Sequence, residues 1–288
     1  MKKQFFKKGI LIIIALVFFS FFASCEKNEP KKEEAITVPV DIFFSDDDYK
    51  YMENTVDFIE ILTVLKKQGF QFVDNVAKLK QYETVADKNK MLIRLGMLAA
   101  DIAYLKIIGN KVQTPEYDKL FKKYMNELNL NSAMITDYAK YFEILSSNKL
   151  TDSLIHSLKE NLRQDRKKMI QNVKNVNDDF LIYFSIGTEV ELMHLILPIS
   201  EKDKSFLQLK SYNEYGFENG NPIAEIFFRI CSKDYTNPKY KEYKQYAEKL
   251  KPAYELMYKK TNKAEDFTAE DAKFVNTTFN NLREEILK

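Results

Sequence analysis

Hydrophobic and polar positions divide this chain into three parts. Gly9 to Phe22 is an apolar run of about 14 residues, too short to read first as a membrane-spanning helix. From Glu26 to about Phe44 charged residues dominate, Pro30 and Pro39 intervene, and helical periodicity is lacking. From Ser45 onward apolar residues fall at helical spacing and strand-like alternation is scarce, so the chain reads as all-α. The pattern predicts helices near 46–67, 70–81, 86–108, 115–128, 132–146, 152–175, 179–197, 201–214, 221–232, 239–260 and 269–287. Their turns are mostly short, which favours a multi-helix bundle or an irregular stack of helical hairpins with about 10–11 helices. Residues 45–288 are expected to form a single all-helical domain, and no repeat period of a tetratricopeptide kind recurs within them.

Start signals support these helices. Ser45/Asp48, Thr84/Asp87, Ser200/Asp203 and Thr268/Asp271 have the spacing of capping boxes, in which a hydroxyl accepts from an orphan backbone amide and an acid reaches back. Thr114 precedes Pro115, a proline placed where its missing N–H costs nothing. Turns are predicted at Gly69, at Gly109-Asn110 and from Asn129 to Asn131.

Two segments are apolar on nearly every face, Met91 to Ile108 and Asp178 to Pro198, which marks helices buried all round. Helices that touch in a core need small residues where their backbones approach. Gly96, Ala99, Ala100 and Ala103 on the first, with Ser185, Gly187 and Thr188 on the second, predict that these two helices cross in the core.

The first thirty residues change the picture of where the protein works. Lys2, Lys3, Lys7 and Lys8 precede the apolar run and Ala23-Ser24-Cys25 follows it, so residues 1–24 read as a secretory signal peptide. The small-small-Cys ending resembles the lipobox of bacterial lipoproteins, which implies cleavage before Cys25 and acylation of its thiol. A multiply acylated cysteine, carrying chains such as palmitate, binds a membrane almost permanently, at about 0.8 kcal/mol for each buried methylene. Residues 25–44 then read as a flexible tether, and their charged start, Glu26 to Glu34, resembles the export signals of surface-displayed lipoproteins in Bacteroidetes. The expected location is the outer membrane, on its periplasmic face or at the cell surface.

Composition removes several classes of function. With residues 1–24 go four lysines and no acid, so 44 basic residues become 40 against 42 acids, and no nucleic-acid partner is expected. Cys231 is the only cysteine besides Cys25 and is expected to be a buried structural thiol. Tyr240, Tyr243, Tyr246, Tyr254 and Tyr258 among lysines read as a half-buried helix face rather than an RNA-stacking surface. No Gly-rich phosphate loop, Gly-x-Ser-x-Gly elbow, His-Glu-x-x-His or catalytic-cysteine context occurs.

Candidate chemistry gathers on the two apolar helices. Glu191 and His194 stand three apart in the Glu-x-x-His form of di-metal carboxylate bundles. Such sites need a second motif, and the other of the two histidines, His156, lacks one, so neither metal nor cofactor is expected. Glu189 and Glu191 are two apart, hence about 200° around a helix, and cannot act on one substrate as a pair. Asp101 is the lone acid of its helix centre, with Arg94 two turns before it. The crossing would let Asp101 or Arg94 meet Glu191 and His194 in a buried polar centre, for which structural pairing is the first expectation.

Two segments are similar to a family of all-helical Bacteroidetes lipoproteins without assigned activity. Leu95-Gly96 followed by Ala100-Asp101-Ile102-Ala103-Tyr104 resembles its Leu-Gly…Ala-Asp-Leu-x-Tyr, and Gly187-Thr188-Glu189-Val190-Glu191 resembles its Gly-x-Trp-Val/Ile-Glu. Asp152-Ser153-Leu154 gives a third short match. Glu189 stands at the tryptophan position, and His194 where tyrosine is expected. The resemblance implies an all-helical lipoprotein. The leading expectation is a non-enzymatic envelope protein that binds a protein partner or small ligand. The alternatives are an enzyme with its site at Asp101, Glu191 and His194, or a structural subunit of an outer-membrane complex.

Overall fold

A computed structural model describes residues 46–53, 58–73, 79–82, 87–109, 114–130, 140–141, 144–145, 150–173, 178–200, 238–262 and 268–288. These residues form an all-α stack, and no strand occurs among them. In chain order the helices are α1 (Asp46–Glu53), α2 (Phe58–Lys67), α3 (Lys88–Ile107), α4 (Pro115–Glu127), α5 (Asp152–Val173), α6 (Asp178–Ser200), α7 (Pro238–Asn262) and α8 (Ala269–Leu287). A short 3₁₀ turn, Leu79–Tyr82, precedes α3. Residues 1–44, Cys231, the predicted helices 201–214 and 221–232, and most of 132–146 lie outside the described residues.

Local signals account for most boundaries. Thr268 and Asp271 close the predicted capping box on α8. Thr114 precedes Pro115 at the start of α4, but its hydroxyl donates to Asp118 Oδ2 (3.0 Å) instead of accepting from a backbone amide. Gly69 (φ 84°) and Asn129 (φ 54°) end α2 and α4 in the left-handed region that these residue types tolerate.

Three predicted elements depart from expectation. Helix α3 starts at Lys88 rather than 86, because the Asp87 carboxylate accepts from Lys90 N at 2.8 Å and takes the cap position itself. Helix α6 continues through Pro198 to Ser200, making Ser200 the end of one helix rather than the cap of another. Within the predicted helix 46–67 the described residues are helical as α1 and α2, and residues 54–57 lie outside the described residues. The predicted helix 70–81 is not seen in its described residues: 70–73 carry no regular structure and 79–82 form the 3₁₀ turn, while 74–78 lie outside the described residues. Tertiary bonds hold its described ends. The Val73 amide donates to the Tyr104 hydroxyl at 2.8 Å, and the Tyr124 hydroxyl donates to the Tyr82 carbonyl.

Helices α3 and α6 make the most extensive contact among the described elements and lie at the centre of the core. By length and apolar composition Asp179–Leu197 could cross a membrane, yet 89% of that window is buried inside the protein, as befits a core helix. Helix α8 packs on α6, and α7 on α8; α4 and α2 cover α3, and α5 touches α6. The outer helices bury one stripe each. Helix α5 does so with Ile155, Leu158, Leu162, Ile170 and Val173, and α7 with Tyr246, Ala247, Leu250, Ala253, Tyr254 and Met257. The described tyrosines of α7 are thus part of the core, while Lys244, Lys249 and Lys251 point outward.

The predicted crossing is present, and its closeness is set by two glycines. A Cβ on Gly96 would collide with the Phe184 carbonyl oxygen and lie 2.9 Å from Thr188 N. A Cβ on Gly187 would collide with the Ile93 carbonyl, 2.8 Å from its carbon and 3.0 Å from Met97 N. Each glycine therefore lies against the opposite backbone, with no side chain between.

Alanine at either position tests this closeness, because the colliding atoms are backbone and cannot swing aside. In a helix, alanine by itself gains about 1 kcal/mol over glycine. Gly96→Ala and Gly187→Ala are nonetheless expected to destabilise the protein by about 3 kcal/mol or more, read by chemical denaturation. A stabilised Gly96→Ala protein would contradict the crossing.

Candidate functional site

The polar groups with the strongest claim to chemistry lie about one helical turn beyond the two glycines. Asp101 on α3 and Glu191 on α6 are each 0% exposed, and Arg283 of α8 reaches them at 4% exposure. Arg283 Nε donates to Glu191 Oε2 at 2.7 Å and Nη2 to Oε1 at 2.9 Å, the two-pronged geometry that suits a guanidinium and a carboxylate. Tyr82, also fully buried, donates its hydroxyl to Asp101 Oδ2 at 2.7 Å. Asp101 Oδ1 is sealed from solvent and, among the described residues, receives no hydrogen bond from a nitrogen or hydroxyl donor.

Electrostatics follow from this arrangement. Burial, and next the nearby charge of Glu191, push Asp101 well above the usual carboxylate range, and they outweigh the opposing hydrogen bond from Tyr82 and charge of Arg283. Burial followed by the field of Asp101 and Glu191 raises the Tyr82 phenol. Tyr117 of α4, which bonds to the Leu79 backbone, is pushed up to about 12, first by burial and then by Asp101. Burial works against the charge on Arg283, but the Glu191 carboxylate more than offsets it, so Arg283 holds its proton more firmly than a free arginine.

The structure brings together only part of the predicted centre. Asp101 and Glu191 meet. Arg94 is buried but turns to the last turn of α8, where Nε and Nη2 donate to the Ile286 carbonyl at 3.2 and 3.1 Å. A cation there satisfies a carbonyl that the helix leaves unpaired and complements the negative end of its dipole. His194 also lies apart from Asp101, with Nδ1 2.6 Å from Asn280 Oδ1; Asn280 Nδ2 in turn donates to Asn276 Oδ1 at 2.8 Å. Glu191 and His194 do share a face, as their spacing predicts, and both face α8. Glu191 meets Arg283, and His194 meets a residue three earlier, which is an antiparallel register. Glu189 points elsewhere and accepts from the Tyr254 hydroxyl of α7 at 2.8 Å.

Arg283 and Tyr82 complete the centre and were not anticipated. Arg283 had a visible signal: it lies four residues after Phe279 and three before Ile286, within the buried stripe Ala272, Val275, Phe279, Leu282, Ile286. Tyr82 had none, since it belongs to a turn whose position is set by contacts distant in sequence. Among the described residues no group of three or more His, Cys, Asp or Glu side chains could hold a metal ion.

Breaking the Arg283–Glu191 pair leaves one charge buried alone, whereas replacing both members does not. Arg283→Met is expected to cost about 3–5 kcal/mol of unfolding free energy, and Arg283→Met with Glu191→Leu substantially less. Calorimetric or denaturant unfolding of the two variants is the check; equal losses would contradict the pairing. Comparison with known proteins returned no matching family model, no matching curated protein and no matching solved structure.

Proposed function

We propose that this chain is a lipid-anchored protein of the bacterial cell envelope, held at the outer membrane through acylated Cys25. In this reading its helical stack binds a protein partner or a small ligand outside the cytoplasm and performs no catalysis. The observation that carries it is the ending Ala23-Ser24-Cys25 after a lysine-led apolar run. The charged tether of residues 25–44 would hold the folded part away from the bilayer. The short resemblances at Leu95–Tyr104 and Gly187–Glu191 support membership of the Bacteroidetes lipoprotein family.

The state of the polar centre supports binding over catalysis. A general acid or base must come within hydrogen-bond reach of its substrate. Asp101 and Glu191 are both 0% exposed, and the two Glu191 oxygens are occupied by Arg283. Their role in this reading is to fix the packing of three helices, which leaves recognition to the surface.

Fractionation of cells expressing the full chain tests the anchor. The wild-type protein is expected in the membrane fraction and labelled by a fatty-acid precursor. Cys25→Ala should abolish the label and release the protein into soluble fractions. A Cys25→Ala protein that still fractionates with membranes would overturn the reading.

A further inference from the structure

The Asp101–Glu191 contact has an odd balance of charge. Two carboxyl groups face one guanidinium in a region sealed from solvent, and both donor prongs of Arg283 go to Glu191. Asp101 accepts the Tyr82 hydroxyl on Oδ2 and, among the described residues, has nothing donating to Oδ1. Glu191 lies within hydrogen-bonding reach of Asp101. If both acids were ionised, two acceptors would oppose each other and one buried negative charge would have no counter-ion among the described residues, a state that costs several kcal/mol. A proton on Asp101 removes both faults, because it makes Asp101 a donor to Glu191 and leaves one carboxylate for one guanidinium.

We infer that Asp101 and Glu191 share a single proton in the folded protein, and that this proton locks the crossing of α3 and α6, making it a pH-sensitive latch. When the latch opens, the shared O–H bond breaks, the proton passes to solvent, and the electron pair stays as a second negative charge inside the crossing. The two helices cannot slide to relieve the repulsion, since Gly96 and Gly187 already lie against the opposing backbones. The charge must therefore be met by opening the crossing or admitting water.

Other groups around Asp101 leave this balance unchanged. The 3₁₀ turn contributes Tyr82 and α4 contributes Tyr117, both phenols; Tyr124 of α4 lies beside Arg94 and donates to the Tyr82 carbonyl. From α6 come Glu191 and Glu189, the latter turned to Tyr254, and α8 contributes Arg283. Arg94, on α3 itself, is spent on the Ile286 carbonyl, and the buried acid of α2 is Glu60. Burial and the charge of Glu191 raise Asp101, which agrees with the shared proton.

The sign of the effect on stability follows from where the proton resides. A carboxyl that holds its proton more tightly when folded contributes stability that is fully present below its unfolded value, about pH 4, and is lost as pH rises towards its folded value. The amide introduced by Asp101→Asn would mimic the protonated acid, accepting from Tyr82 and donating to Glu191 with no proton to lose. The folding equilibrium constant of Asp101→Asn divided by that of the wild type should therefore rise about tenfold per pH unit above about pH 4, until Asp101 ionises in the folded protein. A ratio independent of pH, or one that falls with pH, would overturn the inference. Infrared spectroscopy of the wild type, with isotope-labelled aspartate side-chain carboxyls, keeps the test available should the variant not fold. A protonated aspartate band near neutral pH is expected, and its absence would overturn the shared proton.

Discussion

The backbone-to-backbone approach of α3 and α6 is the constraint on which the rest of this structure depends. Gly96 and Gly187 each occupy a point where any side chain would run into the other helix's carbonyl. Such an approach brings two long apolar helices close enough for the neighbouring side chains to interlock, and it buries nearly the whole of α6. It also decides what can lie one turn further on. Asp101 and Glu191 meet because the glycines set the position of one helix on the other, and both are sealed from bulk solvent there.

Helix α8 closes this core and supplies its counter-charge. Through one face it gives Arg283 to Glu191 and Asn280 to His194, and at its C-terminal end the Ile286 carbonyl receives Arg94 from α3. A single helix near the end of the chain thus ties both core helices by polar bonds that hydrophobic burial alone would not direct. Replacing such an ion pair with apolar groups can be neutral for stability, so its contribution is to register: the two-pronged bond ties Arg283 to Glu191 on α6. The nonpolar contacts provide most of the driving force, and the polar bonds select the arrangement.

The legibility of this arrangement in the sequence follows the range of each interaction. Helices whose signals are local could be read: the capping box at Thr268, the left-handed turns at Gly69 and Asn129, and the apolar perimeter of α6. The crossing was legible because close packing demands small residues at fixed spacing, and spacing also separated Glu189 from Glu191. Partners distant along the chain were not legible. Arg94 stood out as a charge in an apolar helix, but its partner is a backbone carbonyl, which no residue type announces. The stretch from residue 70 to 81 has helical composition, yet Val73 donates to the Tyr104 hydroxyl and Tyr82 accepts from Tyr124, and such tertiary bonds hold these two residues outside an α-helix against a weak helix preference.

If the crossing is the structural centre, its amides must be the last to open. Native-state hydrogen exchange measures this directly, since each amide reports the free energy of the opening that exposes it. Amides of α3 from Ile93 to Ala103, and of α6 from Phe184 to Leu195, are expected to exchange only through global unfolding, with the slowest rates in the protein. Exchange of those amides through local opening, at a free energy well below that of global unfolding, would contradict it.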